Sequence, residues 1–305
     1  MRGTPTVSVG LPVRNGQNFL TEALDSILRQ EFTDFELIIS DNGSDDETEA
    51  ICHRYLERDT RLQYHRFETN QGAARNYNLV FEKARGRYFK WATHDDICLP
   101  GMLRECVRVL DGAASSVVLV YPRAEIIDAE GRVSRVDSTC LHVRHRQAHK
   151  RLGHFLSNIS LANPVFGLFR TEALRKTRLI DWFVGSDYVL LAELVLQGEI
   201  WEIPQILLQR RIHAGTSRRA NATKRQALAW FDPHRAHRSA FLSIRARLVV
   251  EYLRSASRQQ LPLAEKLLCL MIIPSFVYWT SFRDWGGLQK RKLKELISAK
   301  VAPTA

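Results

Sequence analysis

No CxxC pair occurs in this 305-residue chain, and its five cysteines (Cys52, Cys98, Cys106, Cys140 and Cys269) are odd in number. Both facts argue against a disulfide framework or a zinc ribbon and make a reducing compartment the default. His142, His145, His149 and His154 lie near Cys140, but their spacing matches no zinc-ligand pattern. The apolar stretch LLCLMIIPSFVYW at 267–279 is thirteen residues long and broken by Pro274, too short to span a bilayer alone. MRGTPTVSVG carries no apolar secretory stretch, so a cytoplasmic protein is expected. LPVRNGQNF lacks the Gly-rich, Lys/Arg-bearing phosphate loop that a nucleotidyltransferase acting on a sugar phosphate would need. No helix-turn-helix or RNP-like signature marks a nucleic-acid reader, so no nucleic-acid partner is expected.

What is present is a real core and a lopsided charge. Hydrophobic residues make up 45% of the chain, which suits a folded α/β domain. Residues 1–208 hold 25 Lys/Arg against 28 Asp/Glu, whereas 209–305 hold 19 against 5, local net charges of −3 and +14 within a total of +11. From about Asn221 the pattern turns to long helices rich in Arg, Lys, Leu and aromatics. A domain over 1–220 and a basic, amphipathic helical extension over 221–305 are therefore expected. With Lys266, Arg283, Lys290, Arg291, Lys292 and Lys294 around it, the 267–279 segment either lies beside anionic headgroups or packs as a helical hairpin with a solvated basic face. The first option places the protein peripherally on the inner face of the plasma membrane. A non-catalytic, basic-tailed binding protein remains the rival that draws on this tail alone.

Strand and helix patterns alternate through the first 110 residues. VSVGLPV (7–13) reads as a strand, followed by Phe19, Leu20, Ala23, Leu24, Ile27 and Leu28 at helical spacing. FELIIS (35–40), LQYHRF (62–67) and RYFKWAT (87–93) read as further strands, separated by helices over Ala50–Leu56 and Ala73–Ala84. Such βαβ units build a parallel sheet, and ligands bind such sheets at the carboxyl ends of strands near the switch in strand order. Three polar loops, Pro12–Gly16, Asp41–Asp46 and His94–Asp96, stand at such ends. Farther along, SSVVLVYPRAEIID (115–128) is a long strand, 132–151 a basic substrate-side loop, NPVFGLFR (163–170) a turn and a short strand, GSDYVLLAELVLQG (185–198) an amphipathic helix capped by Ser186 or Asp187, and 199–217 a strand pair ending in a basic loop.

The polar residues admit more than one role. Asp95 and Asp96, in WATHDDICLP, either cap the helix that Pro100 begins or hold a hard cation that also grips phosphate oxygens. Asp41 either closes an Asx turn or accepts the imide N–H of uracil or thymine. Arg75 is a solvated helix residue or approaches the base or diphosphate. Asp187 is a helix-start residue or a general base for a hydroxyl nucleophile. Arg210 to Ser217 is a basic turn or a diphosphate-binding loop with His213 as a metal ligand.

In order and spacing, VSVGLPVRNGQNFLTEALDSILRQEFTDFELIISDNGSDDET, NQGAARNYN, HDDICLP, GSDYVLLAEL and RRIHAGTS resemble the family-2 glycosyltransferases over roughly residues 5–217. The resemblance implies a GT-A fold, that is, a Rossmann-like α/β mixed, mostly parallel sheet flanked by helices. It further implies inverting transfer of a sugar from a nucleotide-diphosphate donor, of UDP or dTDP type, to a hydroxyl of a glycan or lipid-linked acceptor, as in cell-surface polysaccharide or glycolipid synthesis. Nucleotide contacts then fall to Pro12, Val13, Arg14, Asn15, Asp41, Arg75, His94, Asp95 and Arg211. The metal-binding D-x-D maps to Thr93-His94-Asp95, so a divalent cation (Mn or Mg) would meet Asp95 and His213, with Asp96 as ligand or support. Thr93 departs from the pattern, which commonly has Asp there. The family's base maps to Asp187, with Ser186 in place of the usual Glu.

Overall fold

The structure is a computed structural model that describes residues 3–138, 140–235 and 243–275. Its strands are β1 (Val7–Val13), β2 (Phe35–Asp41), β3 (Leu62–Arg66), β4 (Tyr88–Trp91), β5 (Ile97–Cys98), β6 (Val117–Ile127), β7 (Val133–Val136), β8 (Leu168–Arg170) and β9 (Glu199–Arg211). They join one sheet in the order β3-β2-β1-β4-β8-β6-β9-β5, with β7 on the edge of β6. β3, β2, β1 and β4 run parallel, as the alternating strand and helix patterns predict. β8 then enters antiparallel between β4 and β6. Every residue of β1, β2 and β4 is buried, which is why these strands read as continuous apolar runs rather than as alternation: helices cover both faces. Phe89, Trp91 and Phe169 stack edge to face at 4.9 and 5.5 Å at the centre of the sheet.

Three stretches depart from the sequence reading. The expected strand pair at 199–217 is one thirteen-residue strand, β9. Pro204 does not break it, because its missing N–H falls at a bulge, where the partner of Pro122 is Ile203 and that of Arg123 is already Ile206. The basic loop 132–151 contains β7, and its last residues enter helix Ala148–Asn158. Helix Ser186–Gln197 is buried on nearly all sides rather than amphipathic, because helices Ala148–Asn158 and Ile244–Arg258 pack against it.

The second of those helices carries charge into the core. Arg178 donates to Glu193 through Nε at 2.6 Å and to Glu251 through Nη1 at 2.6 Å, and Ser255 Oγ donates to Glu193 at 3.0 Å. Glu193, Glu251 and Ser255 are all buried, so helix Ile244–Arg258 is fastened to the sheet domain by an ion-pair network. Residues 263–275 form a further helix that buries Cys269 and Ile273; the remainder of the 267–279 segment lies outside the described residues. Among those described, no helix is long and apolar enough to cross a membrane.

Candidate active site

The loops after β1 and β2 are laced together. Asn15 adopts a left-handed φ of 53°, tolerable for Asn because its short side chain finds local partners. Here it accepts from Asp45 N at 3.1 Å, while its own N–H donates to Ser44 Oγ at 2.9 Å. Gly16 N donates to Thr48 Oγ1 at 2.8 Å. A Cβ on Gly16 would stand 2.6 Å from Val13 and 3.1 Å from the His94 ring, so glycine here lets the His94 loop close over the first loop. Pro12 and Val13 are buried, and Arg14 is exposed.

Asp41 is fully buried at the end of β2. One carboxylate oxygen accepts from Ser44 N at 2.9 Å and Ser44 Oγ at 2.6 Å; the other accepts from Tyr64 OH and Arg66 Nη1, both at 2.8 Å. Four donors occupy the usual acceptor sites of a carboxylate, so a base N–H reaches it only where Tyr64 or Arg66 gives way. Arg75 pairs with Glu82 at 2.7 Å on the exposed side of helix Ala73–Glu82, with its guanidinium 5.8 Å from the Phe67 ring at the end of β3.

The loop after β4 holds the densest charge. Helix Met102–Gly112 starts from Gly101, without a side-chain cap, so Asp95 and Asp96 do not cap it. Instead Asp95 Oδ2 meets His213 Nε2 at 3.0 Å, and Asp96 turns the other way. Asp96 Oδ1 accepts from Arg211 N at 2.9 Å, and Oδ2 lies 3.6 Å from Arg210 Nε. Burial, then the charge of Asp95, pushes the Asp96 carboxyl above the usual carboxylate range. Burial also acts upward on Asp95, but the charge of His94 and the hydrogen bond from His213 outweigh it and hold Asp95 below that range. Phe19 fixes the far side, with its ring 4.7 Å from that of His213 and under the Arg211 guanidinium at 4.8 Å.

Asp187 enters from helix Ser186–Gln197. Neither Ser186 nor Asp187 caps that helix; Gly185, at φ 90°, is the cap residue, and a Cβ there would come within 3.0 Å of Leu248. Asp187 accepts from Tyr188 N at 3.0 Å. Tyr77 stands on helix Ala73–Glu82 with its ring 6.4 Å from that of Trp91 at the end of β4. Burial first, then the negative charges of Asp95, Asp96 and Asp187, push its hydroxyl up, against the opposing charge of Arg210. Tyr77 had no signal beyond a tyrosine in a helix.

The donor chemistry admits a divalent ion with few protein ligands. Among the described residues no cluster of three or more His, Cys, Asp or Glu gathers, and Mg²⁺ ordinarily takes one or two carboxylates with substrate phosphates completing the shell. The 3.0 Å separation of Asp95 Oδ2 and His213 Nε2 matches the roughly 3 Å between adjacent ligands of an octahedral ion with bonds of about 2.1 Å. His213 Nδ1 accepts from Gly215 N at 3.2 Å, which leaves the ring proton on Nε2 facing Asp95. A bound cation would replace that hydrogen bond.

A parallel half-sheet, an antiparallel strand inserted at its switch and an acidic cleft at the strand ends define the GT-A class of α/β fold. In solved structures the same fold occurs in Staphylococcus aureus TarS 1–349, also seen with UDP-GlcNAc (TM-score 0.60, 19% identity, covering 88% of this chain and 71% of that one). It occurs again in the Pyrobaculum calidifontis mannosyltransferase PcManGT with GDP-Man and Mn²⁺ (TM-score 0.53, 16% identity, 98% and 88%). Residues 8–178, more than half of the chain, match Glycosyl transferase family 2, and the protein belongs to that family. An uncharacterised glycosyltransferase of Rickettsia prowazekii is 29% identical over 215 residues, which span 69% of this chain and 65% of that relative. A GalNAc(5)-diNAcBac-PP-undecaprenol beta-1,3-glucosyltransferase of Campylobacter jejuni is 26% identical over 222 residues, 71% and 70% respectively.

Proposed function

We propose that this protein transfers a sugar from a nucleoside-diphosphate donor to a hydroxyl of a glycan or lipid-linked acceptor, with inversion at the anomeric carbon. The observation that carries the reading is the pairing of Asp95 with His213 in the loop that follows β4, at the carboxyl end of the parallel half-sheet. In this reading Asp187 takes the proton of the acceptor hydroxyl as its oxygen bonds to the anomeric carbon; the anomeric C–O bond breaks and its electron pair leaves with the diphosphate. Asp95 and His213 would hold Mn²⁺ or Mg²⁺, which supplies positive charge to a departing diphosphate. Asp96, turned toward β9, supports the loop from behind. Pro12, Val13, Arg14, Asn15 and His94 frame the nucleotide, with Asp41 and Arg75 on the base side. The UDP-GlcNAc of TarS favours a uridine donor, and the GDP-Man of PcManGT sets guanosine as the alternative.

The undecaprenol-linked acceptor in the name of the Campylobacter relative favours a lipid-linked acceptor and a place at the cytoplasmic face of a membrane. A second observation supports that place: Leu263, Leu267, Leu268 and Met271 are 73%, 52%, 40% and 67% exposed on the helix over 263–275. A nucleotide-sugar panel tests the central reading. A ligand that binds only the folded protein raises its melting temperature, and Mn²⁺ should enlarge the rise for one donor. Failure of every nucleotide sugar to bind or to release nucleoside diphosphate would refute it.

A further inference from the structure

We infer that Arg210, not Arg211, is the arginine that meets the leaving diphosphate; this rests on the sugar-transfer reading above. The two are neighbours at the end of β9, and strand alternation sends them to opposite faces. Arg211 turns toward helix Leu20–Leu28. Its Nε donates to Asp95 O at 3.0 Å, its Nη1 to Asp128 O and Ala129 O at 3.2 and 3.1 Å, and its Nη2 to Glu22 at 2.5 Å. The side chain is 2% exposed. Arg211 is therefore a clamp that joins two segments of backbone and the Glu22 carboxylate, with its donors turned inward.

Arg210 has the opposite character. Its guanidinium lies on the Phe166 ring at 4.8 Å, and Nη1 donates to Asn163 Oδ1. Its Nε is buried without a hydrogen-bond partner, 3.6 Å from Asp96 Oδ2. A guanidinium carries five N–H donors in a planar fork, and here a single one is used within the described residues. With Nε turned to Asp96, the remaining Nη donors are left open within the described residues, and a phosphate oxygen is a fitting partner for them. The side chain is 24% exposed, so a ligand in the cleft can reach it.

The surrounding residues hold that fork still. Asn163 Nδ2 donates to Asp137 Oδ2, and both residues are buried. The buried ammonium of Lys90 donates to Phe166 O at 2.6 Å, pinning the turn Asn163–Phe166 that carries both the ring and the amide. Arg210 Nε lies 3.6 Å from Asp96 Oδ2, and Asp96 follows Asp95 in the chain, which puts the guanidinium beside the acidic loop after β4. A rigid cation at this place stabilises charge that appears on the diphosphate as the anomeric C–O bond breaks.

The test compares R210M, R210K, R210A and R211M in nucleoside-diphosphate release from the donor that the panel selects. R210M should lower kcat by about 10²–10³-fold, with little change in melting temperature and a smaller change in donor KM. R210K should recover only part of the loss, since an ammonium lacks the fork. Added guanidinium should restore turnover in R210A, whose site opens to the cleft, but not in R211M, whose defect should be a fall in melting temperature. Wild-type turnover in a folded R210M, or an R210A defect that guanidinium leaves untouched, overturns the assignment while sparing the transfer reading. Absence of nucleotide release by the wild-type protein from every donor overturns both.

Discussion

Replacing Arg178 by Met keeps the volume of the side-chain stem and removes the fork that joins two buried carboxylates. Arg178 bonds Glu193 and Glu251 at 2.6 Å each and Ser255 Oγ at 2.8 Å, and the two glutamates are 4% and 1% exposed. Removing one partner of a buried ion pair costs about 3–5 kcal/mol. Glu251 keeps Arg247 and Arg254 at 2.8 and 2.9 Å, and Glu193 keeps Ser255 Oγ, so the loss should sit near the lower end, about 3 kcal/mol. At roughly 2–4 °C per kcal/mol for a chain of this size, the melting temperature should fall by about 6–12 °C. Acid gives the sign of the effect. Burial acts upward on Glu251, but the bonds from Arg178 and the charge of Arg247 outweigh it and hold the carboxyl below its ordinary 4.5. In the wild-type protein that stability is full above 4.5 and is lost as pH falls through the lower folded value. In R178M Glu251 keeps Arg247 and Arg254 but loses the bond from Arg178, so its carboxyl is held down less, and less stability is left to lose in acid. The gap between the two proteins should therefore be full from neutral pH down to the ordinary 4.5 and narrow below it, as scanning calorimetry would read it. A variant melting within about 2 °C of wild type near pH 7.5, or a gap that widens in acid, would refute the view that this network fastens helix Ile244–Arg258 to the sheet.

Asp187→Asn should reduce sugar transfer by at least about 10²–10⁴-fold while nucleotide affinity persists, because the amide keeps the shape and cannot take a proton; normal turnover in the purified variant would remove the base assignment. Asp95→Ala should abolish the Mn²⁺-dependent part of nucleotide binding measured by titration calorimetry, and equal affinities with and without metal in the wild-type protein would count against a cation at Asp95 and His213. Leu267→Glu together with Met271→Glu should release the protein from vesicles containing anionic lipid in a flotation assay, since burying each apolar side chain contributes about 1.5–3 kcal/mol. Equal flotation of variant and wild type would place any membrane contact elsewhere.

β1, β2 and β4 were legible because burial on both faces writes a nearly continuous apolar run, whereas β3, buried only at Leu62, was legible from its place in the strand–helix alternation. Helix Ala148–Asn158 hid among histidines and arginines because its buried face includes Arg151, whose guanidinium bonds the carbonyls of Val195 and Leu196 at the end of helix Ser186–Gln197. No local pattern announces an arginine that serves as another helix's cap. The unbroken course of β9 was hidden in the same way, since Pro204 fits it only at a bulge against β6.

Sequence by itself determined the βαβ half and the placement of acidic loops at strand ends, because side-chain periodicity and turn chemistry act over a few residues. Only the tertiary structure decided the partners within the cleft. Asp95 and His213 are 118 residues apart in the chain, and the helix that carries Asp187 is held in place by two other helices. It also decided which of two adjacent arginines faces the cleft. The register of β9 against β6 shifts near Pro122–Ala124, and in a strand a one-residue shift exchanges the two faces.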